Sequence, residues 1–149
     1  LVFLDEPTTG LDPQARHLIW ERLRMLTGQG KTIFLTTHFM DEAERLCNRI
    51  AVMDHGRIIE SGTPRELVAQ HIEPQVVEVY GDGAEEWAAA HGRRLSERCE
   101  KTGETVFCYT HDADPIVHEL ERDGRLRYLH RHANLEDVFL KLTGRELRD

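Results

Sequence analysis

The chain has 149 residues, 40% of them hydrophobic and 31% charged, with a formal net charge of −8. That length holds one ordinary domain or two small ones with a real core. The acidic balance argues against a grip on a nucleic-acid phosphate backbone. No apolar stretch approaches the roughly 20 residues of a membrane-spanning helix, and no signal-peptide pattern leads the chain, so a soluble chain is expected, meeting a membrane only through a partner.

The first residues, Leu1-Val2-Phe3-Leu4-Asp5-Glu6-Pro7, read as an apolar strand that ends in two carboxylates. Its continuous apolar run predicts burial on both faces, as in a parallel sheet. Thr8-Thr9-Gly10-Leu11 is a loop, and Asp12-Pro13 reads as an N-cap followed by proline at the first helical position. Ala15, Ile19, Leu23 and Leu26 follow at helical spacing, and Gly28 and Gly30 stop that helix. Thr32–Thr37 is a second buried strand, ended by His38. Asp41 is expected to cap a short helix with Ala43, Leu46 and Cys47 inward. Ile50–Met53 and Arg57–Glu60 flank Asp54-His55-Gly56, a hairpin signal. Thr63-Pro64 starts another short helix.

Near Glu73-Pro74 the texture changes. Segments 75–80, 104–110 and 126–131 alternate, predicting strands with one wet face. Helical stretches carry Trp87 and Ala88, then Ile116, Val117 and Leu120. The order β-α-β-β-α-β is the split βαβ pattern of a ferredoxin-like unit. A last helix runs from Leu135, with Val138, Phe139 and Leu142 inward. The expected organisation is thus residues 1–73 as the tail of an α/β parallel-sheet domain and 74–149 as a small appended α+β domain with a C-terminal helix. A hairpin around Lys101-Thr102-Gly103 would set Cys99 opposite about Thr105, not Cys108, a poor place for a disulfide. Cys47 reads as a small core hydrophobe. A reducing cytoplasm fits.

Asp5 and Glu6 stand where open α/β sheets place their ligands, at a strand's C-terminal end. An Asp there can hold Mg²⁺ through water, and a neighbouring Glu can accept a proton from an attacking water. Taken alone, the pair is equally a helix cap or a surface acid. His38, ending the neighbouring strand, should share that edge, where an imidazole can donate to a terminal phosphate oxygen; alone it is an ordinary loop histidine. Gly28-Gln29-Gly30-Lys31-Thr32 imitates a phosphate-binding loop. Position 25 is Met where that loop needs Gly, and here a helix precedes and a strand follows, the reverse of the required order. Among the nine histidines, His130 and His132 share a strand face and His111 lies near Asp112 and Asp114, with no ligand set at a recognisable spacing.

Together the motifs are specific: Leu1–Pro7, Thr9-Gly10-Leu11-Asp12-Pro13, Leu35-Thr36-Thr37-His38, Glu42-Ala43-Glu44, Cys47-Asn48-Arg49-Ile50, Gly56-Arg57-Ile58 and Gly62-Thr63-Pro64. Residues 1 to about 70 resemble the C-terminal part of the ATP-binding subunit of an ABC transporter, a P-loop NTPase. The ending, Asn134–Arg145, is similar to the tail of the ABC-2 type exporters, and Leu-Thr-Gly-Arg-Glu-Leu-Arg is most like the nodulation protein I group. The resemblance implies Asp5 as the magnesium-side carboxylate of the Walker B strand and Glu6 as the catalytic base. It implies Gly10, Leu11 and Asp12 as the D-loop that meets an opposing subunit, and His38 as the switch histidine that senses the γ-phosphate. It implies ATP and Mg²⁺, a second ATP-binding subunit in a homodimer, a separate ABC-2 type membrane permease, no nucleic acid, and a cytoplasmic place at the inner face of the membrane. The family's P-loop, glutamine loop, signature and adenine-stacking aromatic lie upstream of the Walker B strand and are not in this sequence. The 149 residues are therefore expected to be part of a longer chain and inactive alone, with apolar surface and an unpaired edge along Leu1–Leu4 that favour oligomerisation. Two alternatives are a non-catalytic regulatory or dimerisation module in residues 75–149, and a non-transport ABC ATPase.

Overall fold

The computed structural model describes residues 1–144. The chain forms two compact units, Leu1–Leu67 with the residues from Phe139, and Val68–Val138.

In the first unit β1 (Val2–Asp5) and β2 (Ile33–Thr36) pair in parallel. Parallel strands need a crossover, and α1 (Pro13–Gly28) supplies it. The register sets Val2 beside Ile33 and Asp5 beside Thr36. Asp12 caps α1, its side chain accepting from Ala15 N at 2.8 Å, and Pro13 opens the helix. Both strands alternate between half-buried and exposed positions instead of being buried on both faces. Phe3 is 70% and Phe34 60% exposed, with ring centroids 5.8 Å apart, because no element among the described residues of this unit covers the face that carries them.

The buried face of α1 is anchored by Trp20 and Leu23, while Ile19 of the expected stripe is at the surface. Trp20 wins the inner position because its indole is held on several sides. His17 meets it edge-on, and the guanidinium groups of Arg16 and Arg45 lie 5.9 and 5.3 Å from its ring. In α2 (Met40–Leu46) the N-cap position belongs to Phe39, not Asp41. Asp41 sits in the first turn and accepts from Glu42 N at 3.0 Å. Cys47 is the C-cap residue, half-buried. β3 (Ile50–Asp54) and β4 (Arg57–Gly62) form the expected hairpin, its turn taking positive φ at both His55 and Gly56. α3 (Pro64–His71) follows, with Leu67 fully buried.

The second unit contains β5 (Gln75–Tyr80), β6 (Arg98–Thr102), β7 (Thr105–Thr110) and β8 (Arg127–His132) in one antiparallel sheet of order β6-β7-β5-β8. A continuous helical stretch joins β5 to β6: α4 (Ala84–Trp87), a π-helical turn (Ala88–Gly92) and α5 (Arg93–Leu95). α6 (Asp114–Asp123) joins β7 to β8. This order is that of the ferredoxin-like split βαβ unit. Val77, Val79, Val106, Cys108, Trp87, Ile116 and Leu120 form its core.

Two expectations are corrected here. The opposite sheet face is not wet along its length: Val76 and Tyr109 are buried there. α7 (Leu135–Thr143) begins against that face, where Asp137 takes two hydrogen bonds from Arg131, at 2.8 and 2.9 Å. The second correction concerns register. The β6–β7 turn is the two-residue Gly103-Glu104, so Thr102 faces Thr105 and Cys99 stands directly opposite Cys108. The tail motif beyond Gly144 lies outside the described residues.

Candidate active site at the strand ends

The C-terminal ends of β1 and β2 deliver Asp5, Glu6 and His38 to one edge. The parallel ladder continues past the strands, with Glu6 N donating to Thr36 O at 2.8 Å. Glu6 then takes φ of +45°, in the left-handed region that a non-glycine residue seldom adopts. Backbone held this way is tolerated where the surroundings fix it, and it clusters at functional sites. The Glu6 side chain reaches across to β2, and His38 Nδ1 donates to its Oε1 at 2.9 Å. Both groups stay accessible, the side chains of His38 and Glu6 being 33% and 45% exposed.

Asp5 accepts a hydrogen bond from Thr36 Oγ1, its register partner. Its carboxylate is exposed on the same rim. His38 is braced from behind: Phe39 N donates to Thr37 Oγ1 at 3.0 Å, and the rings of His38 and Phe39 are 4.2 Å apart. Arg16 lies over the Phe39 ring at 5.0 Å. Gly10, Leu11 and Asp12 follow on the loop leaving β1, all exposed. One Asp12 oxygen is committed to the helix cap.

Sequence reasoning missed a buried group behind this loop. Glu42 is fully buried, and its Oε2 accepts from Thr8 Oγ1 and, at 2.7 Å, from Trp20 Nε1. Its Oε1 has no hydrogen-bond partner among the described residues. One side chain thus ties the loop after β1 to α1 and α2. The signal was available: Glu42 lies four residues before Leu46, on the inward face of α2, where an acid needs a partner.

Mg²⁺ keeps several waters and needs only one or two protein carboxylates beside substrate phosphates. The exposed Asp5 fits that requirement as a hard oxygen donor. Among the described residues no cluster of three or more His, Cys, Asp or Glu could hold a metal ion by itself. His130 is instead bonded to Gln75, and His111 to Glu97.

A family model described as "Nodulation factor export protein NodI, C-terminal domain" matches residues 85–144. A second, described as "AAA domain, putative AbiEii toxin, Type IV TA system", matches residues 1–39, the segment that carries β1, the acid pair, α1, β2 and His38. Over its whole length the chain is similar to ATP-binding proteins named for Nod factor export. It is 60% identical over 149 residues to the Nod factor export ATP-binding protein I of Cupriavidus metallidurans, covering all of this chain and 49% of that one. It is 58% identical to the protein of that name from Cupriavidus pinatubonensis, covering all of this chain and 46% of the relative. Against the Rhizobium sp. (strain N33) protein it is 54% identical, over 99% of this chain and 48% of that one. The chain spans about half the length of these relatives. A solved structure of an ATP-binding subunit of an ABC transporter is 36% identical over 46% of this chain and 29% of that one, with a TM-score of 0.42.

Proposed function

We propose that the intact protein hydrolyses ATP to drive export through a separate ABC-2 type permease, and that residues 1–73 carry the catalytic half-site described above. The observation that supports this most is the Glu6–His38 hydrogen bond, made between groups at the ends of two parallel strands. Hydrolysis needs a base near the attacking water and a donor at the departing phosphate. A carboxylate and an imidazole at hydrogen-bond distance can divide those tasks.

In this reading Glu6 takes the proton of the attacking water. Asp5 holds the hydration shell of Mg²⁺, which when bound neutralises phosphate charge. His38 contacts the γ-phosphate. Donation through Nδ1 to Glu6 fixes one tautomer, and the other nitrogen of a neutral ring is then an acceptor. To donate to a phosphate oxygen the ring must therefore be protonated or release Glu6. Either event couples the phosphate to the base, because the contact that holds Glu6 changes when the phosphate arrives.

Gly10, Leu11 and Asp12, exposed on the same edge, suit contact with a second ATP-binding subunit in a homodimer. Residues 74–149 act as an appended accessory domain. The working place is the cytoplasmic face of the membrane, reached through the permease. No helix among the described residues is long and apolar enough to cross a membrane. The test is steady-state ATP turnover by the intact protein with Glu6→Gln and with His38→Ala. Loss of turnover with ATP still bound supports the assignment; turnover close to the unsubstituted rate in either variant removes that residue from it.

A further inference from the structure

The ferredoxin-like unit holds a pair of thiols that the nucleotide chemistry does not use. Cys99 on β6 and Cys108 on β7 are direct cross-strand partners, and their Sγ atoms are 3.4 Å apart. Facing residues of an antiparallel pair have Cα atoms about 4.5–5.5 Å apart, within the range that a disulfide spans. Little more than side-chain rotation separates this contact from a bond.

The surroundings are arranged about the two sulfurs. Ser96 Oγ lies 3.1 Å from Cys99 Sγ and donates to Gly92 O at 2.6 Å. Gly92 ends the π-helical turn directly over the pair: a Cβ there would stand 3.4 Å from each sulfur and 3.0 Å from the Trp87 ring. A side chain at this position would crowd chiefly the Trp87 ring. π-Helical turns inside helices occur frequently at functional sites.

The two thiols are not equivalent. Cys108 is fully buried and Cys99 half-buried, so a small oxidant reaches Cys99 first. Chiefly the Cys108 thiol donating to its sulfur, with the Arg93 charge, brings the Cys99 thiol down to about 6, against the opposing effect of burial. Donation to Cys99, together with burial, pushes the Cys108 thiol up. At Cys47, burial and the nearby Glu42 push the thiol up.

We propose that Cys99 and Cys108 are a redox modification site, in which hydrogen peroxide converts the two thiols into a cross-strand disulfide. The Cys99 thiolate attacks a peroxide oxygen, the O–O bond breaks, and the sulfur leaves as a sulfenic acid while the released hydroxide takes a proton as water. The Cys108 sulfur then attacks the sulfenic sulfur. The S–S bond forms, the S–O bond breaks, and the Cys108 proton leaves with the hydroxide as a second water. Two thiols lose two electrons and the peroxide gains them. This chemistry is independent of the ATPase reading.

The test is peptide mass mapping of the 149-residue chain, without added thiols, after a few equivalents of hydrogen peroxide at pH 7. The site predicts one cross-linked peptide containing Cys99 and Cys108, two hydrogens lighter than the free pair, with Cys47 still a thiol. Cys99, whose thiol is brought down beside its partner, should react ahead of Cys47, whose thiol burial pushes up. In Cys108→Ser a dimedone trap should label Cys99. Should that variant fail to fold, the linked peptide of the unsubstituted chain still tests the site. Oxidation of Cys47 ahead of the pair, or Cys99 and Cys108 both modified without becoming linked, overturns the proposal.

Discussion

Glu6 and His38 are thirty-two residues apart in sequence, yet His38 Nδ1 stands 2.9 Å from Glu6 Oε1. The βαβ crossover creates this proximity. β1 and β2 run in parallel and in register, so their C-terminal ends arrive side by side, and positive φ at Glu6 turns its backbone where the strand ends. A carboxylate and an imidazole are thereby held in contact at the strand ends.

If His38 donates to the phosphate in the transition state, His38→Ala should lower kcat of the intact protein by about 100-fold, the usual cost of one such donor. KM for ATP should change far less. Steady-state kinetics separate the two; a large KM change at constant kcat would make His38 a ground-state binding residue only.

The 149-residue chain should not bind ATP at micromolar concentrations. Its sequence lacks the glycine-rich loop whose amides and lysine hold the phosphates; position 25 is Met and the Gly30-Lys31 pair leads into a strand. Calorimetric titration with ATP and Mg²⁺ is the check, and a saturable micromolar isotherm would contradict the expectation.

Glu42→Ala should destabilise the chain by about 2–4 kcal/mol, because it leaves the Thr8 hydroxyl and the Trp20 indole N–H buried without their acceptor. Glu42→Gln keeps an acceptor oxygen and should cost less than half as much. Urea unfolding followed by tryptophan fluorescence reads the difference, and equal effects would show that Oε2 is not the important atom.

Tyr109 gives a pH prediction. Burial and the neighbouring Asp137 push its hydroxyl above the ordinary tyrosine value of 10. The folded state then keeps a proton that the unfolded state releases, so stability is retained below pH 10 and falls as pH rises further, by about 1.4 kcal/mol per unit for this group. Tyr109→Phe should flatten the decline between pH 10 and 11. A decline of unchanged slope would assign it to other groups.

Much of this was legible in the sequence for physical reasons. Asp12-Pro13 fixes a helix start by local chemistry, and it is where the structure puts one. The β-α-β-β-α-β order follows from alternation and from turn residues, and the sheet has the matching strand order. What was misread depended on long-range choices. Which side of α1 faces inward was decided by a partner of Trp20 on another helix, which periodicity does not contain. The Cys99 register turned on where the hairpin places its turn, at 101–103 or at 103–104, and a small change there moves every facing pair. The wet sheet face was covered in part by α7, an element far along the chain.

The most direct measurement is ATP turnover by the intact protein carrying Glu6→Gln, with ATP binding measured on the same sample. Turnover should fall by 100-fold or more, the size expected on removing a general base, while ATP remains bound. Turnover within two- or three-fold of the unsubstituted protein would contradict the assignment of Glu6 as the base.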